Sequence, residues 1–286
     1  MRPPLDRSTI LITGASSGIG LELARQLAPR AGGLILVARR TERLEALRTE
    51  LVGRRPDLVV SVQTCDLGDR AATDAMLARV EAEVGSIDVL INNAGMGDMG
   101  LFELADWDKV ARMLELNVVA LTHLTHRLLG GMSARGRGGV LQVSSGFGLE
   151  FLPGFAAYVG TKHYVTGFTE ALGIEARGRG VVVSQLCPGP VATEFEELAG
   201  NFTGRKVPGW LELSAAECVR AGLRGFERGR ALIVPGFAMK LLMLFGSLSP
   251  RWLKRLVYRP VAAQLRALQL RALEQRRQPP ALSAKP

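Results

Sequence analysis

The sequence predicts an α/β fold, a doubly wound parallel sheet of seven strands with helices on both faces. Short apolar, β-branched runs alternate along the chain with longer stretches of helical period. These runs are apolar throughout, which is typical of strands that are covered on both faces. Strands and helices that alternate in this way form parallel sheets through right-handed crossovers.

The predicted elements follow one another in a regular order. The strands are seven runs rich in Val, Ile and Leu, namely Thr9–Thr13, Gly33–Ala38, Leu58–Thr64, Ile87–Ile91, Val140–Ser144, Val181–Cys187 and Ala231–Val234. The helices lie between them, at Ile19–Pro29, Glu42–Val52, Arg70–Val84, Trp107–Leu129, Ala157–Ala176 and Ala215–Phe226. Ligands of such sheets bind beyond the carboxyl ends of the strands, so functional residues are expected directly after each strand.

The composition is that of one packed unit. The chain has 286 residues, of which 47% are apolar and 22% charged. Cys65, Cys187 and Cys218 form no C-x-x-C pair, which argues against a disulfide framework and a thiolate metal site. His123 and His126 have no evident third ligand, so no metal is predicted. The first residues lack the apolar core of a signal peptide, and a cytoplasmic protein is expected.

The positive charge is concentrated near the end of the sequence. The net charge is +9, but residues 251–286 hold nine Lys and Arg against the single acid Glu274. The other 250 residues carry 27 basic and 26 acidic side chains and are close to neutral. A body that binds nucleic acid is therefore not predicted.

A glycine-rich segment, Thr13-Gly-Ala-Ser-Ser-Gly-Ile-Gly20, joins the first strand to its helix. Gly14 allows a sharp turn, while Gly18 and Gly20 allow the backbone to approach a pyrophosphate. The helix N-terminus presents unpaired N–H groups to that anion. Its place between a strand and a helix predicts a dinucleotide site.

The end of the second strand predicts which dinucleotide binds. An acidic residue there would accept a hydrogen bond from the ribose 2′-hydroxyl of NAD. Here the strand ends in Ala38-Arg39-Arg40, with no acid before Glu42. Because arginine forms forked contacts with phosphate, NADP(H) is predicted in preference to NAD(H), with two solvated loop arginines as the alternative.

Further motifs follow the later strands. Asn92-Asn-Ala-Gly95 follows the fourth strand, Asn117 lies in the next helix, and Ser144-Ser145 ends the fifth strand. Tyr158-Val-Gly-Thr-Lys162 comes next, with Tyr158 and Lys162 on one helix face. Together with Pro188-Gly-Pro-Val-Ala-Thr193, this ordered set closely resembles the short-chain dehydrogenase/reductase family over roughly residues 7–236, which implies a Rossmann-type fold.

The resemblance implies a catalytic set of Asn117, Ser145, Tyr158 and Lys162. Tyr158 would be the general acid or base, Ser145 would hydrogen-bond the substrate oxygen, and Asn117 would anchor a water beside Lys162. An ammonium about 4 Å from the phenol would favour the phenolate by up to ~4 kcal/mol at an effective dielectric of ~20, so Lys162 is expected to lower the pKa of Tyr158.

The resemblance also implies where the cofactor binds. Asp66 and Leu67 would border the adenine, and Val191 and Thr193 the nicotinamide amide. The full set of residues expected to contact the cofactor is Gly14, Ser16, Ser17, Gly18, Ile19, Gly20, Arg39, Arg40, Asp66, Leu67, Asn93, Ala94, Gly95, Tyr158, Lys162, Val191 and Thr193.

An apolar substrate is suggested by the segment between Ser145 and Tyr158. Its apolar residues would line the substrate site or, alternatively, pack the loop or a subunit contact; they are Phe147, Leu149, Phe151, Leu152 and Phe155. The irregular stretch Glu194–Trp210 is expected to form a lid. The predicted function is NADPH-dependent carbonyl reductase or alcohol dehydrogenase. The alternatives are a 3-oxoacyl thioester reductase and a non-catalytic NADP-binding regulatory protein.

The chain divides into a catalytic domain, residues 1–236, and an extension, residues 237–286. Phe237–Leu248 is too short to span a bilayer, and Arg251–Arg277 carries eight basic residues and is expected to be broken by Pro260. The extension is expected to pack as two helices over the active site or a neighbouring subunit or, alternatively, to lie on an anionic membrane. The last nine residues are expected to be frayed. Family members are commonly dimers or tetramers, so a homo-oligomer is expected.

Overall fold

The computed structural model describes residues 1–200 and 208–277. Its centre is a parallel sheet in the order β3-β2-β1-β4-β5-β6-β7. The strands are β1 Thr9–Thr13, β2 Gly33–Ala38, β3 Val59–Thr64, β4 Val89–Asn92, β5 Gly138–Val143, β6 Val181–Leu186 and β7 Leu232–Ile233. The predicted seven-stranded doubly wound sheet is confirmed.

Helices cover both faces of this sheet. They are α1 Gly18–Leu27, α2 Thr41–Arg54, α3 Arg70–Val84, α4 Trp107–Leu114, α5 Leu121–Ala134, α6 Ala156–Glu175, α7 Phe195–Ala199, α8 Ala215–Glu227, α9 Phe237–Leu248 and α10 Arg251–Arg277. A π-helical segment, Glu115–Ala120, joins α4 to α5, so the predicted helix from Trp107 contains one widened turn.

The strands divide their side chains between two cores, as the two-residue period of a strand requires. Ile10 and Ile12 of β1 pack into the core under α1, α2 and α8, whereas Leu11 packs into the core under α3, α5 and α6. Burial on both faces explains why the strand sequences are continuous apolar runs. The sheet order reverses between β1 and β4, so the loops after these two strands diverge and leave a crevice.

The later part of the chain differs from the prediction at Pro260. Pro260 does not break the last helix, because α10 runs through it from Arg251 to Arg277. Proline removes one N–H and frees the carbonyl of Leu256, but both residues are exposed and water can hydrate that carbonyl. The expected lid lies partly outside the described residues, which lack 201–207, and the expected frayed end, 278–286, lies wholly outside them. No helix in the described ranges is long and apolar enough to cross a membrane.

Candidate active site

The glycine-rich loop after β1 forms a tight cradle. Gly14 and Gly18 have positive φ angles of 66° and 52°, which favour glycine. A Cβ atom on Gly20 would lie 2.2 Å from the carbonyl oxygen of Gly14, so the loop and α1 touch backbone to backbone. The Asn93 side chain donates to the carbonyl oxygens of Thr13 and Gly14, at 2.9 and 3.3 Å, and fastens the loop to the end of β4.

This cradle fits a dinucleotide pyrophosphate. Ser17 caps α1 without a side-chain hydrogen bond to the first turn, which leaves backbone N–H groups of that turn free for an anion. A Cβ atom on Gly14 would lie 2.8 Å from the Asn93 amide nitrogen, and one on Gly18 would lie 3.0 Å from Thr193 Cγ2, so side chains at these positions would displace the walls of the cradle. Gly20 itself does not line the cleft and acts through this close packing.

Two arginines follow β2 at the edge of the cradle. Arg40 already has hydrogen-bond partners, because its guanidinium donates to Ser17 Oγ at 2.8 Å and to Glu194 at 3.0 Å. Glu194 also accepts from Arg43, and the two arginines lower the pKa of its carboxyl. The Arg39 side chain is 70% exposed, and its nearest acidic oxygen, on Asp66, is 4.0 Å away. Arg39 is therefore the more available of the two for a phosphate.

The other residues expected to contact the cofactor surround the same cleft. Ser16, Ile19, Asp66, Leu67, Ala94, Gly95, Val191 and Thr193 all line it. Asp66 Oδ1 accepts a hydrogen bond from the Gly68 N–H at 3.1 Å, which holds the loop after β3. The cleft therefore runs continuously from the cradle to the ends of β5 and β6.

Tyr158 and Lys162 lie one turn apart on α6 and are both buried. The Lys162 Nζ atom lies 5.7 Å from the centre of the Tyr158 ring and donates to the Val143 carbonyl oxygen at 2.9 Å. Ser145 caps the short turn after β5, and its Oγ accepts from the Phe147 N–H at 3.2 Å. Ser144 is instead occupied, since its hydroxyl contacts the Lys162 carbonyl oxygen and Thr166.

Asn117 lies in the π-helical segment behind these residues. Its amide donates to the Met96 carbonyl oxygen at 2.8 Å and to Thr161 Oγ1 at 3.1 Å, while its Oδ1 accepts from the Met96 N–H at 3.0 Å. A Cβ on Gly95 would lie 3.3 Å from Asn117 Oδ1 and 3.7 Å from Lys162 Nζ. Asn117 therefore borders Lys162 but does not line the cleft itself.

Burial dominates the protonation of the site. It raises the pKa of Tyr158 above its ordinary value, although contact with Ser145 opposes the shift. It also lowers the pKa of Lys162 to about 8. The expectation that Lys162 lowers the pKa of Tyr158 is therefore wrong for the protein alone, because the ammonium is directed at the Val143 carbonyl and is itself desolvated.

The cleft continues from Tyr158 into a wide apolar region. Its whole volume is about 1750 Å³. The Phe155 and Phe195 rings lie 6.4 and 5.4 Å from the Tyr158 ring, centre to centre. Of the apolar residues expected here, Phe147, Phe151, Leu152 and Phe155 line the cleft, whereas Leu149 does not.

Glu194 and Phe195, which begin the stretch expected to form a lid, line the cleft. Glu194 pairs with Arg40 at the cradle and the Phe195 ring lies beside Tyr158, two contacts that the sequence did not indicate. The extension contributes a further wall, formed by Met239, Leu242, Met243, Phe245, Leu253, Lys254, Val257, Tyr258 and Leu265. Lys254 Nζ lies 2.8 and 2.7 Å from the two carboxylate oxygens of Glu150, and both side chains are largely buried.

Comparison with known proteins identifies the class. Residues 8–201 match the family model described as short chain dehydrogenase. Human dehydrogenase/reductase SDR family member 7 is 35% identical over 219 residues, which make up 74% of this chain and 65%, just under two thirds, of that relative. A putative ketoacyl reductase of Streptomyces coelicolor is 38% identical over 193 residues, 66% of this chain and 72% of that protein.

Solved structures agree with this result. A short-chain dehydrogenase from Sphingobium yanoikuyae in complex with NADPH has a TM-score of 0.74 at 33% identity, covering 84% of this chain and 93% of that one. The bulky-bulky ketone specific alcohol dehydrogenase from Comamonas testosteroni has a TM-score of 0.67 at 28% identity, covering 97% and 98%. The chain belongs to the short-chain dehydrogenase/reductase family. Its fold and its class, a nicotinamide-dependent oxidoreductase, are as the sequence predicted.

Proposed function

We propose that this protein is an NADPH-dependent carbonyl reductase, and an alcohol dehydrogenase in the reverse direction, for an apolar ketone or alcohol. One observation carries the proposal: a single cleft joins the glycine cradle to an apolar chamber, with Tyr158 and Ser145 at the junction. We place the protein in the cytoplasm, where its three buried, unpaired cysteines stay reduced.

Tyr158 and Ser145 would act on the substrate oxygen. The bound cofactor supplies the hydride in reduction and accepts it in oxidation. Tyr158 donates its hydroxyl proton to the carbonyl oxygen, and its raised pKa keeps the phenol protonated at neutral pH. Ser145 Oγ accepts from the Phe147 N–H, and its hydroxyl contacts Tyr158; with substrate bound, this O–H would stabilise developing negative charge on the substrate oxygen.

Lys162 and Asn117 would hold this arrangement. Lys162 would bind the ribose of the nicotinamide nucleoside, because its Nζ lies near Gly95 at the cofactor side of the cleft. Asn117 fixes Met96 through both backbone groups and so sets the position of the loop after β4. We assign it the support of a proton path that passes Lys162.

The experiment that tests this mechanism measures NADPH oxidation with a panel of apolar ketones and aldehydes. Tyr158→Phe should lower turnover by at least about 100-fold and leave NADPH binding intact, because only the proton donor is lost. Unchanged turnover in Tyr158→Phe would contradict the assignment. NADPH binding without turnover of any carbonyl would favour the regulatory alternative.

Arg39 supports the preference for NADPH. Its exposed guanidinium lies at the ribose end of the cradle, where a forked contact with a 2′-phosphate is possible. Arg39→Ala should weaken NADPH binding about 10-fold or more and NADH binding little. Arg54→Ala, which changes an exposed arginine of α2 outside the cleft, is the matched control. Equal losses for both cofactors would contradict the preference.

A second substrate class, 3-oxoacyl thioesters, is favoured by the likeness to a putative ketoacyl reductase. The basic extension could then dock an acidic carrier protein. Including 3-oxoacyl thioesters in the substrate panel separates this class from simple apolar ketones.

We also propose a homo-oligomer formed through the π segment, α5 and α6. Val119, Tyr164 and Ile174 are large apolar side chains on this surface, with exposures of 46, 41 and 74%. Ile174→Asp and Tyr164→Asp should shift the mass measured by sedimentation toward the monomer. No shift in either variant would contradict this interface.

A further inference from the structure

The extension presents an apolar surface that the rest of the chain leaves exposed. Half of the large apolar side chains exposed in the described residues lie in α9 and α10. We call the exposed apolar side chains of α9 and of the first two turns of α10 the tail face: Phe237, Leu241, Leu242, Leu244, Phe245, Leu248, Trp252, Leu253, Leu256 and Val257. Within α9 only Met239 is buried. A helix that is apolar nearly all round requires a covering partner.

Basic residues border this tail face. Arg251, Arg255 and Arg259 are spaced four residues apart along one edge of α10, and Lys240 is exposed on α9. None of the four has an acidic partner within 4.0 Å in the described part of the chain, where the extension holds one acid, Glu274. An apolar centre, a tryptophan and a cationic edge are the features of helices that lie in a membrane interface.

We propose that the tail face docks on an anionic lipid surface. The partner is of opposite charge, since anionic headgroups attract the exposed Lys and Arg while the acyl region accepts the apolar side chains. A second copy of this chain would bring the two cationic edges together. With 12 residues, or about 18 Å, α9 cannot span a hydrocarbon layer of about 30 Å and would lie along its surface.

The tail face and the cleft share residues, so docking would bring the lipid next to the site. Leu242, Phe245, Leu253 and Val257 belong to the tail face and also line the cleft that contains Tyr158. The cleft therefore opens where the lipid would lie, and this part of the inference rests on the proposed function. An apolar carbonyl compound dissolved in the lipid would reach Tyr158 without crossing water. The substrate class is therefore a lipid-soluble ketone or alcohol.

The docking is tested without any substrate. The full chain is mixed with phosphatidylcholine vesicles that contain or lack phosphatidylserine, and bound protein is measured by flotation. We expect binding to the anionic vesicles at least 10-fold above binding to the neutral ones, with the excess lost at high salt. Failure of the intact protein to bind anionic vesicles would overturn the proposal and leave the proposed activity untouched.

Two sets of variants locate the contact. Leu248→Ser with Trp252→Ser, both outside the cleft lining, and separately Arg255→Gln with Arg259→Gln should each lower vesicle binding about 10-fold or more. Trp107→Ser, which changes a residue of similar exposure on α4, is the matched control. NADPH binding and thermal midpoint should not change, which shows that the variants are folded. Equal vesicle binding by all variants would overturn the tail face as the contact.

Three further outcomes distinguish the alternatives. If Leu248→Ser with Trp252→Ser changes the sedimentation mass and not vesicle binding, the tail face contacts a second copy and the lipid proposal is wrong. Tyr158→Phe should bind vesicles like the unchanged protein, so loss of activity and loss of docking are distinguishable.

Delivery of the substrate from the lipid is tested with two ketones. The variant Leu248→Ser with Trp252→Ser should reduce an apolar ketone presented in anionic vesicles more slowly than the unchanged protein does, whereas both proteins should reduce a water-soluble ketone at the same rate. Equal rates with both ketones would contradict delivery from the lipid.

Discussion

Similar apolar side chains differ in burial between the body of this protein, residues 1–236, and its extension, residues 237–277. In the body, helices cover both faces of the sheet, and residues such as Phe226 and Leu23 are fully buried. In the extension, Phe237 and Phe245 are 77 and 65% exposed. The difference arises because each face of the sheet is covered by helices, whereas α9 packs against the rest of the protein on one side only. Apolar sequence alone therefore does not predict burial.

The two regions also bury a lysine in different ways. Lys162 of the body has a backbone carbonyl as its partner, and burial lowers its pKa to about 8. Lys254 of the extension is paired with the carboxylate of Glu150 and lies 5.8 Å from the centre of the Phe151 ring. The first arrangement suits a group beside a cofactor, and the second fastens one helix to one loop.

The difference in packing between the two regions is tested most directly by truncating one phenylalanine in each. Phe226→Ala should lower the free energy of unfolding by about 4 kcal/mol, because it leaves a cavity in a fully buried site. Phe245→Ala should change it by less than about 0.5 kcal/mol, because the ring is mostly exposed. Urea denaturation measures both. A large loss from Phe245→Ala would show that the extension packs as tightly as the body.

The next largest effect is expected at the Lys254–Glu150 pair. Lys254→Met leaves a buried carboxylate without a counter-charge, at a cost of about 3 kcal/mol, and α10 should separate from the loop after β5. Faster tryptic cleavage within α10 and a higher KM would report this. The double variant Glu150→Gln, Lys254→Met should recover most of the loss, since neither charge then remains buried.

The matched control for this pair is Arg266→Gln. Arg266 contacts Glu103 from the same helix, but both side chains are about half exposed, so the loss should stay below about 1 kcal/mol. Equal cleavage rates in Lys254→Met and Arg266→Gln would show that burial of the pair does not hold the extension.

A further effect, smaller than those of Phe226→Ala and Lys254→Met, concerns Lys162 and pH. Its pKa is about 8 in the folded protein and 10.5 as a free side chain, so between these values the unfolded chain binds more protons. The contribution of Lys162 to the free energy of unfolding therefore rises with pH. At pH 7, Lys162→Met should be the more stable protein, and its advantage should shrink by about 2 kcal/mol by pH 10. Denaturation of both proteins at the two pH values measures this, and a constant difference would contradict burial of the ammonium.

Most of the body could be predicted because its signals are local. The strand ends found in the structure differ from the predicted ones by at most two residues, since a strand covered on both faces is a continuous apolar run. The ends of successive strands then place Tyr158, Ser145 and the glycine loop at one edge of the sheet. These positions follow from topology and need no knowledge of side-chain contacts.

The remaining features depend on contacts distant in sequence. Glu150 and Lys254 are 104 positions apart, and no local pattern indicates that they pair. The raised pKa of Tyr158 depends on burial, and its lysine is directed at Val143, which helical spacing does not show. The continuity of α10 through Pro260 was missed because the local rule for proline disregards the hydration of an exposed carbonyl.

The π-helical turn Glu115–Ala120 has a consequence for insertions and deletions. A π turn carries one residue more than the α-helix around it, so removal of one residue, such as Val119, would leave a regular helix. Because the widened turn absorbs its extra residue, α4 and α5 should keep their relative rotation after such a deletion, and the backbone change should fall on the turn itself. Asn117 lies in that turn, so its contacts with Met96 and Thr161 are the ones that would be disturbed. The number of residues in this turn is therefore set by the contacts of Asn117 and not by the geometry of the helix.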